Sequence, residues 1–368
     1  MVQPEATIGV PAGSAKAPTA ASEPVARGAV APPRKRLRRW SRLALRWEGA
    51  LVVALALTVA LGAVTSRQFL TASNVFSNIS LLYGELAMMT LPMTLIIVSG
   101  EIDLSVASTL ALANSLVGYL WVQHWPMPAV IVCVLATGVA CGALNGLLVT
   151  RVGLPSLAVT IGTMTLYAGI SELVLGPAII TSFPASYTSI GVDPVPGTAG
   201  LLSYSALAYI ALAVIFALVL HATAFGRSVT AIGYNKEAAQ FAGIRVKHVK
   251  TMLFVTSGLV SAMAGVLYTF RLSTAEANNG TTLVLPVVAV VLLGGVSIFG
   301  GRGTMLGVVL AVLVYCGLQS ALLLTNFNSN ALELVTGGLL LLSVLIPNGG
   351  ELAARARRLG GRHLKGGL

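Results

Sequence analysis

The sequence predicts an all-α protein that crosses a membrane about ten times, with both termini in the cytoplasm. Three observations carry this prediction. Hydrophobic residues make up 56% of the 368 residues and charged residues only 10%, long apolar runs recur along the chain, and basic residues cluster between alternate runs. A soluble domain carries about 25% charged residues, so this chain could not cover its own surface in water.

The candidate crossings are apolar runs of roughly the 20 residues that a helix needs to cross a bilayer core. In chain order they are residues 49–66, 79–99, 104–122, 128–149, 155–176, 201–221, 251–270, 283–299, 304–324 and 331–347. The eighth run is short and contains Pro286 and Gly294-Gly295, so whether it spans fully stays open. Ten crossings divide into five plus five of opposite orientation, which is compatible with an inverted repeat.

Lysine and arginine residues give the expected orientation, because they concentrate in cytoplasmic loops. With a cytoplasmic N-terminus, only Arg67 and Arg271 of the 23 fall outside. The formal net charge of +11 therefore indicates orientation in a membrane. Nucleic-acid binding is not expected, since no basic face carries interleaved aromatic residues.

Three regions are predicted along the chain. Residues 1–47 form a basic, disordered tail, residues 48–348 the transmembrane domain, and residues 349–368 a basic cytoplasmic tail. The first apolar run is interpreted as an uncleaved helix, because the charged region before it is too long for a signal peptide. The longest internal loop covers residues 222–250.

No catalytic or metal-binding constellation is apparent. Cys133, Cys141 and Cys316 lie inside apolar runs and are interpreted as small packing residues. The histidines are scattered, so no metal site is expected. The sequence also lacks the GxxxxGK[ST] phosphate loop, so nucleotide hydrolysis is not expected in this chain.

The longest internal loop contains a helix-forming segment, Lys236–Ala242. Asn235 can cap its start and Gly243 can end it. A helix of this length is marginal in water, and Phe241 and Ile244 would be exposed unless something covers them. The segment is therefore either an ordinary connection or the docking site of a partner.

Four colinear segments resemble bacterial ABC importer permeases of the ribose-type sugar family. They are GEIDLSVAS at 100–108, CGALNGLLVTRVGLPSLAVTIGTMTLYAGISEL at 141–173, AIGYNKEAAQFAGIRVKHVKTMLFVTSGLVSAMAGVL at 231–267 and VVLLGGVSIFGGRGTMLGVVLAVLV at 290–314. The resemblance runs from about Arg46 to Ile346 and is nearest to the rhamnose and autoinducer-2 branch. Glu101 and Ala107 stand where many members have glycine, so the sugar stays unassigned.

The resemblance implies a division of labour in the bacterial cytoplasmic membrane. This chain would be the non-catalytic channel, paired with a second permease subunit. A separate ATPase would use the ATP, and this chain would bind no cofactor. An extracytoplasmic binding protein would deliver a monosaccharide. The residues expected at the ATPase contact are Asn235, Glu237, Ala238, Ala239, Gly243 and Ile244. The alternative is a stand-alone secondary transporter or channel in which Glu85, Asp103 or Glu172 relays protons.

The stretch Gly100–Ser105, GEIDLS, places two carboxylates between long apolar runs. A charge at mid-bilayer costs about 2.5–3.5 kcal/mol on insertion scales, so both acids need an explanation. In the predicted topology they lie at the cytoplasmic end of the second crossing, within reach of water, where Asp103 can cap the next helix. The alternatives are a break in the membrane with Asp103 facing a solute pathway, and a contact with the ATPase.

Polar residues inside the apolar runs are the candidates for a solute pathway. Thr160, Thr163, Tyr167 and Ser171 recur at helical spacing and form one stripe of hydroxyl groups. Such a stripe suits a neutral sugar, but hydroxyls bonded to backbone or neighbouring helices are an equal alternative. The remaining pathway candidates are Glu85, Asp103 and Asn114. By contrast, Gly138, Gly142 and Gly146 predict close helix packing.

Overall fold

The structure, a computed structural model, describes residues 34–325 and the single positions 334, 337, 338 and 341. The described residues form helices and turns and contain no β-strand. The helices are α1 (Arg34–Thr65), α2 (Ala72–Asn74), α3 (Gly84–Val98), α4 (Val106–Val122), α5 (Met127–Leu147), α6 (Ser156–Leu175), α7 (Ala185–Val192), α8 (Tyr204–Ala222), α9 (Ala224–Tyr234), α10 (Lys236–Phe241), α11 (Val246–Leu272), α12 (Val284–Leu293) and α13 (Met305–Leu324). Val75–Leu81 and Leu148–Val152 are π-helical.

The described residues contain six helices that are long and apolar enough to cross a membrane: Trp47–Thr65, Met127–Val152, Ser156–Leu175, Tyr204–Ala222, Val246–Leu272 and Met305–Leu324. A pair bent by 45°, Ala72–Leu81 with Gly84–Val98, makes a seventh if it is one span. Val106–Val122 and Thr281–Leu293 are apolar but shorter. The prediction of an all-α, multi-pass chain is confirmed, while the count of ten and the orientation of the termini stay predictions.

The two ends of the chain differ from the prediction or lie outside the described residues. Helix α1 begins at Arg34, so the basic run that was expected to belong to the disordered tail is helical. Residues 1–33 of the predicted N-terminal tail 1–47, and all of the predicted tail 349–368, lie outside the described residues. So does the tenth predicted run, 331–347, apart from four single positions.

Helix α3 lies at the centre of the fold. Every one of its residues is buried, as expected for a helix that is apolar on all sides. It packs against α8, α11, α12 and α13. Its neighbour α4 is also largely buried, between α5, α6 and α11.

Helix α11 runs along the core and contacts several of its helices. Its 27 residues extend about 40 Å and pack against α3, α4 and α5. The predicted small-residue face makes the α5 contact close: a Cβ on Gly142 would lie 2.2 Å from the Phe254 carbonyl oxygen, and one on Gly138 would lie 2.5 Å from the Gly258 oxygen. Small residues therefore let the two backbones touch, as expected from their spacing.

Candidate functional site

Helix α10 has the caps that the sequence predicts. The Asn235 Oδ1 atom accepts a hydrogen bond of 2.9 Å from the Ala238 amide. Gly243 follows the helix with φ of +81°, in the left-handed region that favours glycine at a helix end. The Ile244 amide then donates to the Ala239 carbonyl oxygen at 3.0 Å. The segment is thus a defined helical turn on the surface, joined to α11 by four residues.

The exposed face of α10 carries both charge and a large apolar group. The Phe241 side chain is 93% exposed, and Lys236, Glu237, Ala238 and Gln240 are exposed as well. Ala239 is buried and Ile244 is half-buried against the core. Ile244, which was expected to be exposed unless something covers it, is covered by the core beside Ala239. These two residues support α10, while its other predicted contact residues remain accessible.

Glycines pack α9 and the loop after α12 against the end of α3. A Cβ on Gly233 would lie 1.9 Å from the Val98 carbonyl oxygen, the same oxygen that accepts a 2.8 Å hydrogen bond from the Gly301 amide. Gly300 in turn lies against Gly100, where an added Cβ would come within 2.9 Å. The end of α3, the end of α9 and the loop after α12 therefore contact one another through their backbones, just before α10 begins in the chain.

The GEIDLS stretch forms the loop between α3 and α4. Asp103 Oδ1 accepts hydrogen bonds from the Ser105 amide at 3.0 Å and the Ser105 hydroxyl at 2.6 Å. Its Oδ2 accepts one of 2.8 Å from the Ser257 hydroxyl of α11. Asp103 therefore satisfies the amide of Ser105, which is itself the N-cap of α4 and makes no side-chain capping bond. The predicted capping role of Asp103 is wrong, because its side chain reaches the N-cap residue and none of the amides in the first turn of α4. Asp103 is only 2% exposed, so the expected contact with water is wrong for this residue.

The same loop is fastened to further helices. Ser105 Oγ accepts a 2.8 Å hydrogen bond from the Asn145 amide group of α5. The Ile102 amide donates to Ser156 Oγ of α6 at 3.2 Å. The Glu101 carboxylate forms an ion pair with Lys250 of α11. The loop 99–105 is therefore a junction where α3, α4, α5, α6 and α11 are linked by polar contacts.

A second ion pair joins α3 and α11 at their opposite ends. Arg271 Nε lies 3.2 Å from both carboxylate oxygens of Glu85, and the Ser205 hydroxyl of α8 donates to Glu85 at 2.8 Å. The Arg271 guanidinium also lies 4.8 Å from the centroid of the Tyr268 ring. Glu85 is 1% exposed, so its charge is neutralised entirely by protein groups.

Asn114 and Ser171 hold the chain that follows α11. The Asn114 side chain donates to Thr269 Oγ1 at 2.8 Å and to the Thr274 carbonyl oxygen at 3.1 Å. Its Oδ1 accepts from the Glu276 amide at 2.9 Å. Ser171 donates to the Ala277 carbonyl oxygen at 2.7 Å. Both side chains therefore bond within the protein.

The hydroxyl stripe on α6 faces the protein interior. The Tyr167 hydroxyl donates to the Cys141 carbonyl oxygen at 2.9 Å, and Thr163 donates to the Val159 oxygen of its own helix at 3.1 Å. The seven pathway candidates, Glu85, Asp103, Asn114, Thr160, Thr163, Tyr167 and Ser171, are all at most 5% exposed. These contacts favour the structural alternative that the sequence left open, and a role in translocation stays a prediction.

Sequence reasoning missed Lys250, Ser257 and Arg271 as site residues. Each bonds to an acid about 150 to 190 positions away, and no local pattern shows which helix is its neighbour. The signal available was only that Arg271 stands apart from the other basic residues, on the predicted external side.

An apolar cavity of about 140 Å³ lies between α3, α8, α9 and α11. Pro92, Phe216 and Thr256 are among its lining residues. Its walls offer almost no hydrogen-bonding groups, so it does not suit a hydroxylated solute.

Comparisons with known proteins agree with this arrangement. The family model described as "Branched-chain amino acid transport system / permease component" matches residues 75–345. The autoinducer 2 import system permease protein LsrD of Escherichia coli K12 is 32% identical over 311 residues, covering 83% of this chain and 92% of that protein. LsrD of Yersinia enterocolitica is 30% identical over 305 residues, covering 81% and 91%. No solved structure matches the chain significantly. The chain therefore belongs to this ABC importer permease family, on the ribose and autoinducer-2 branch that its sequence predicted.

Proposed function

We propose that the chain is the membrane subunit of a binding-protein-dependent ABC importer that moves a small sugar-like solute into the bacterial cytoplasm. The observation that carries this proposal is α10: a capped surface helix with an almost fully exposed phenylalanine, attached directly to the longest core helix. Aromatic side chains are enriched among the residues that dominate protein contacts, so we assign Phe241 and the charged residues around it to the docking surface. A separate ATPase subunit is the partner that the family provides.

The solute belongs to the class of ribose, rhamnose and autoinducer-2. Support comes from the curated relatives, which are named as autoinducer 2 import permeases and match over most of their length. An extracytoplasmic binding protein delivers the solute, and a second permease subunit completes the channel.

The ATPase drives the channel by moving α10. Ala239 and Ile244 seat α10 on the core. The preceding helix, α9, packs against α10, and its Gly233 lies against the Val98 carbonyl oxygen at the end of α3. Force applied to the exposed face therefore reaches α3 and α11 together. Nucleotide-driven closure of the ATPase pair becomes a rigid-body tilt of these helices, which opens the pathway alternately to each side.

The buried polar residues act when these helices part. Glu85, Asp103, Asn114 and the hydroxyl stripe of α6 are bonded inside the protein in the present conformation. Glu85 bonds to Arg271, Asp103 to Ser257 and Asn114 to Thr269, and all three partners are on α11. A tilt of α11 therefore separates these three pairs. Hydroxyl, amide and carboxylate groups freed in this way offer a sugar hydrogen bonds without a permanent deep binding site.

Replacing Phe241 with serine tests the docking surface. Aromatic residues at the centre of a protein contact contribute about 2 kcal/mol or more, so Phe241→Ser is expected to weaken binding of the ATPase at least tenfold without changing the thermal unfolding midpoint. The measurement is titration of the purified ATPase onto the permease in lipid nanodiscs.

Trp125→Ser is the matched control, since it also removes an exposed aromatic ring, 44% accessible, but far from α10 in the sequence and fold. It should leave binding unchanged. If Phe241→Ser binds the ATPase as tightly as the wild type, α10 is not the docking site. Full-rate uptake in vesicles without ATP would instead favour the stand-alone transporter.

A further inference from the structure

The ion pair between Glu101 and Lys250 joins the two parts of the chain that must move together in the proposed importer. Lys250 lies near the start of α11, seven residues after Gly243, and is 6% exposed. Glu101 lies in the loop that leaves α3. The pair is the charged contact between the segment that carries α10 and the junction loop.

This contact is part of a ladder along one face of α11. Lys250 and Ser257 are two helical turns apart, and residues at this spacing lie on the same side of a helix. Lys250 binds Glu101, and Ser257 donates to Asp103 at 2.8 Å. A single rigid helix face therefore holds the loop at both of its acids.

The loop passes the motion on to three other helices. Ile102 is bonded at its amide by Ser156 and at its carbonyl by Thr160 at 3.3 Å, both on α6. Ser105 is bonded by Asn145 of α5 and opens α4. A displacement of Lys250 thus reaches α6 through the loop, and for α4 and α5 the loop adds to their direct packing against α11.

We propose that Glu101 and Lys250 act as positioning residues, a strap that transmits the movement of α10 to the junction loop and thereby couples ATP hydrolysis to opening of the pathway. This inference rests on the proposed function. The pair suits the task because a charged contact between a helix and a loop resists pulling as well as pushing. Apolar packing also resists separation, but it is non-directional, so it fixes the position of the loop on α11 less specifically than a charged pair does.

The Glu101→Gln/Lys250→Met double variant tests the strap. Replacing both members of a buried pair with neutral groups of similar volume is often neutral for stability, so this protein should fold and bind the ATPase. The measurement is ATP hydrolysis and uptake of ribose, rhamnose and autoinducer-2, one at a time, in proteoliposomes with the ATPase and binding protein. We expect hydrolysis to stay within twofold of the wild type and uptake to fall at least tenfold.

Two further variants separate transmission from simple structural support. The exchanged pair, Glu101→Lys/Lys250→Glu, restores the contact with reversed polarity and should recover uptake to within threefold of the wild type. Lys247→Met is the matched control: it removes an exposed lysine of the same helix start and should leave both rates unchanged.

The outcomes are distinct. The proposed strap would be overturned if Glu101→Gln/Lys250→Met takes up as much solute per ATP as the wild type. It would also be overturned if this variant loses hydrolysis and uptake in equal proportion and has a lowered unfolding midpoint. If the exchanged pair fails to fold, the neutral pair still decides the question. A wild-type protein that takes up none of the three solutes would instead defeat the proposed function.

Discussion

The two ends of the α3–α11 contact are both closed by an acid–base pair, yet the two pairs are built differently. Lys250 and Arg271 are 21 residues apart on α11, so the pairs are separated by about 30 Å along the helix. At one end, Arg271 binds both oxygens of Glu85, a helical residue, and stacks on Tyr268. At the other end, Lys250 binds a single oxygen of Glu101, a loop residue whose side chain is 15% exposed.

The difference indicates which end is fixed and which can yield. The planar guanidinium of arginine holds a carboxylate in one geometry, whereas the ammonium group of lysine is a compact charge on a flexible stem. Glu85 is further held by Ser205, while Glu101 follows Gly100, which has φ of +81°. We infer that α3 and α11 are held more tightly at the Glu85 end and are more adjustable at the Glu101 end, beside α10.

Breaking the Glu85–Arg271 pair should have the largest effect. Arg271→Met leaves the Glu85 charge buried without a counter-ion, a defect that costs about 3–5 kcal/mol in comparable buried pairs. The expected result is a large drop in the thermal unfolding midpoint and in the amount of chain recovered from the membrane.

The double variant Glu85→Gln/Arg271→Met supplies the control, because it removes both charges and should recover most of the lost stability. If Arg271→Met is as stable as the wild type, then water or a partner compensates the Glu85 charge. The two ends of α11 would then differ less than the contacts indicate.

Disturbing the close contact between α5 and α11, which lies between the two ion pairs, should have an intermediate effect on stability. An added Cβ on Gly142 meets the backbone oxygen of Phe254 at 2.2 Å, so Gly142→Ala should push α5 away from α11 and cost about 1–3 kcal/mol. Gly162→Ala on α6 meets nothing within 4 Å and should be neutral or stabilising, since alanine favours a helix over glycine. Equal unfolding midpoints for the two variants would contradict the packing of α5 on α11.

Much of the fold was predictable because it depends on local patterns. Apolar runs gave the multi-pass helical class, Gly138 and Gly142 gave the close helix contact, and Asn235 with Gly243 gave the bounds of α10. These signals lie within one or two helical turns of the chain. The lengths of α4 and α12 were overestimated, because hydropathy does not show where a buried helix ends.

The polar contacts could not be predicted in the same way. Glu85 and Asp103 were recognised as unusual in an apolar run, but their partners Arg271 and Ser257 lie more than 150 positions away. Only the packing of α11 across α3 and α4 brings them together. The sequence therefore identifies buried acids that need a hydrogen-bonding or charged partner, but it does not show which residues those partners are.

The smallest stability effect is expected at the adjustable end. Glu101→Gln leaves Lys250 without its counter-ion, but Glu101 is partly exposed and the loop can move to admit water. The cost should be about 1–2 kcal/mol, between that of a surface pair, about 0–1 kcal/mol, and that of breaking a fully buried pair, about 3–5 kcal/mol. The unfolding midpoint of Glu101→Gln, measured beside that of Arg271→Met, checks this order. A larger loss for Glu101→Gln would reverse the assignment of the fixed and adjustable ends, because the loop end would then be the more tightly compensated of the two.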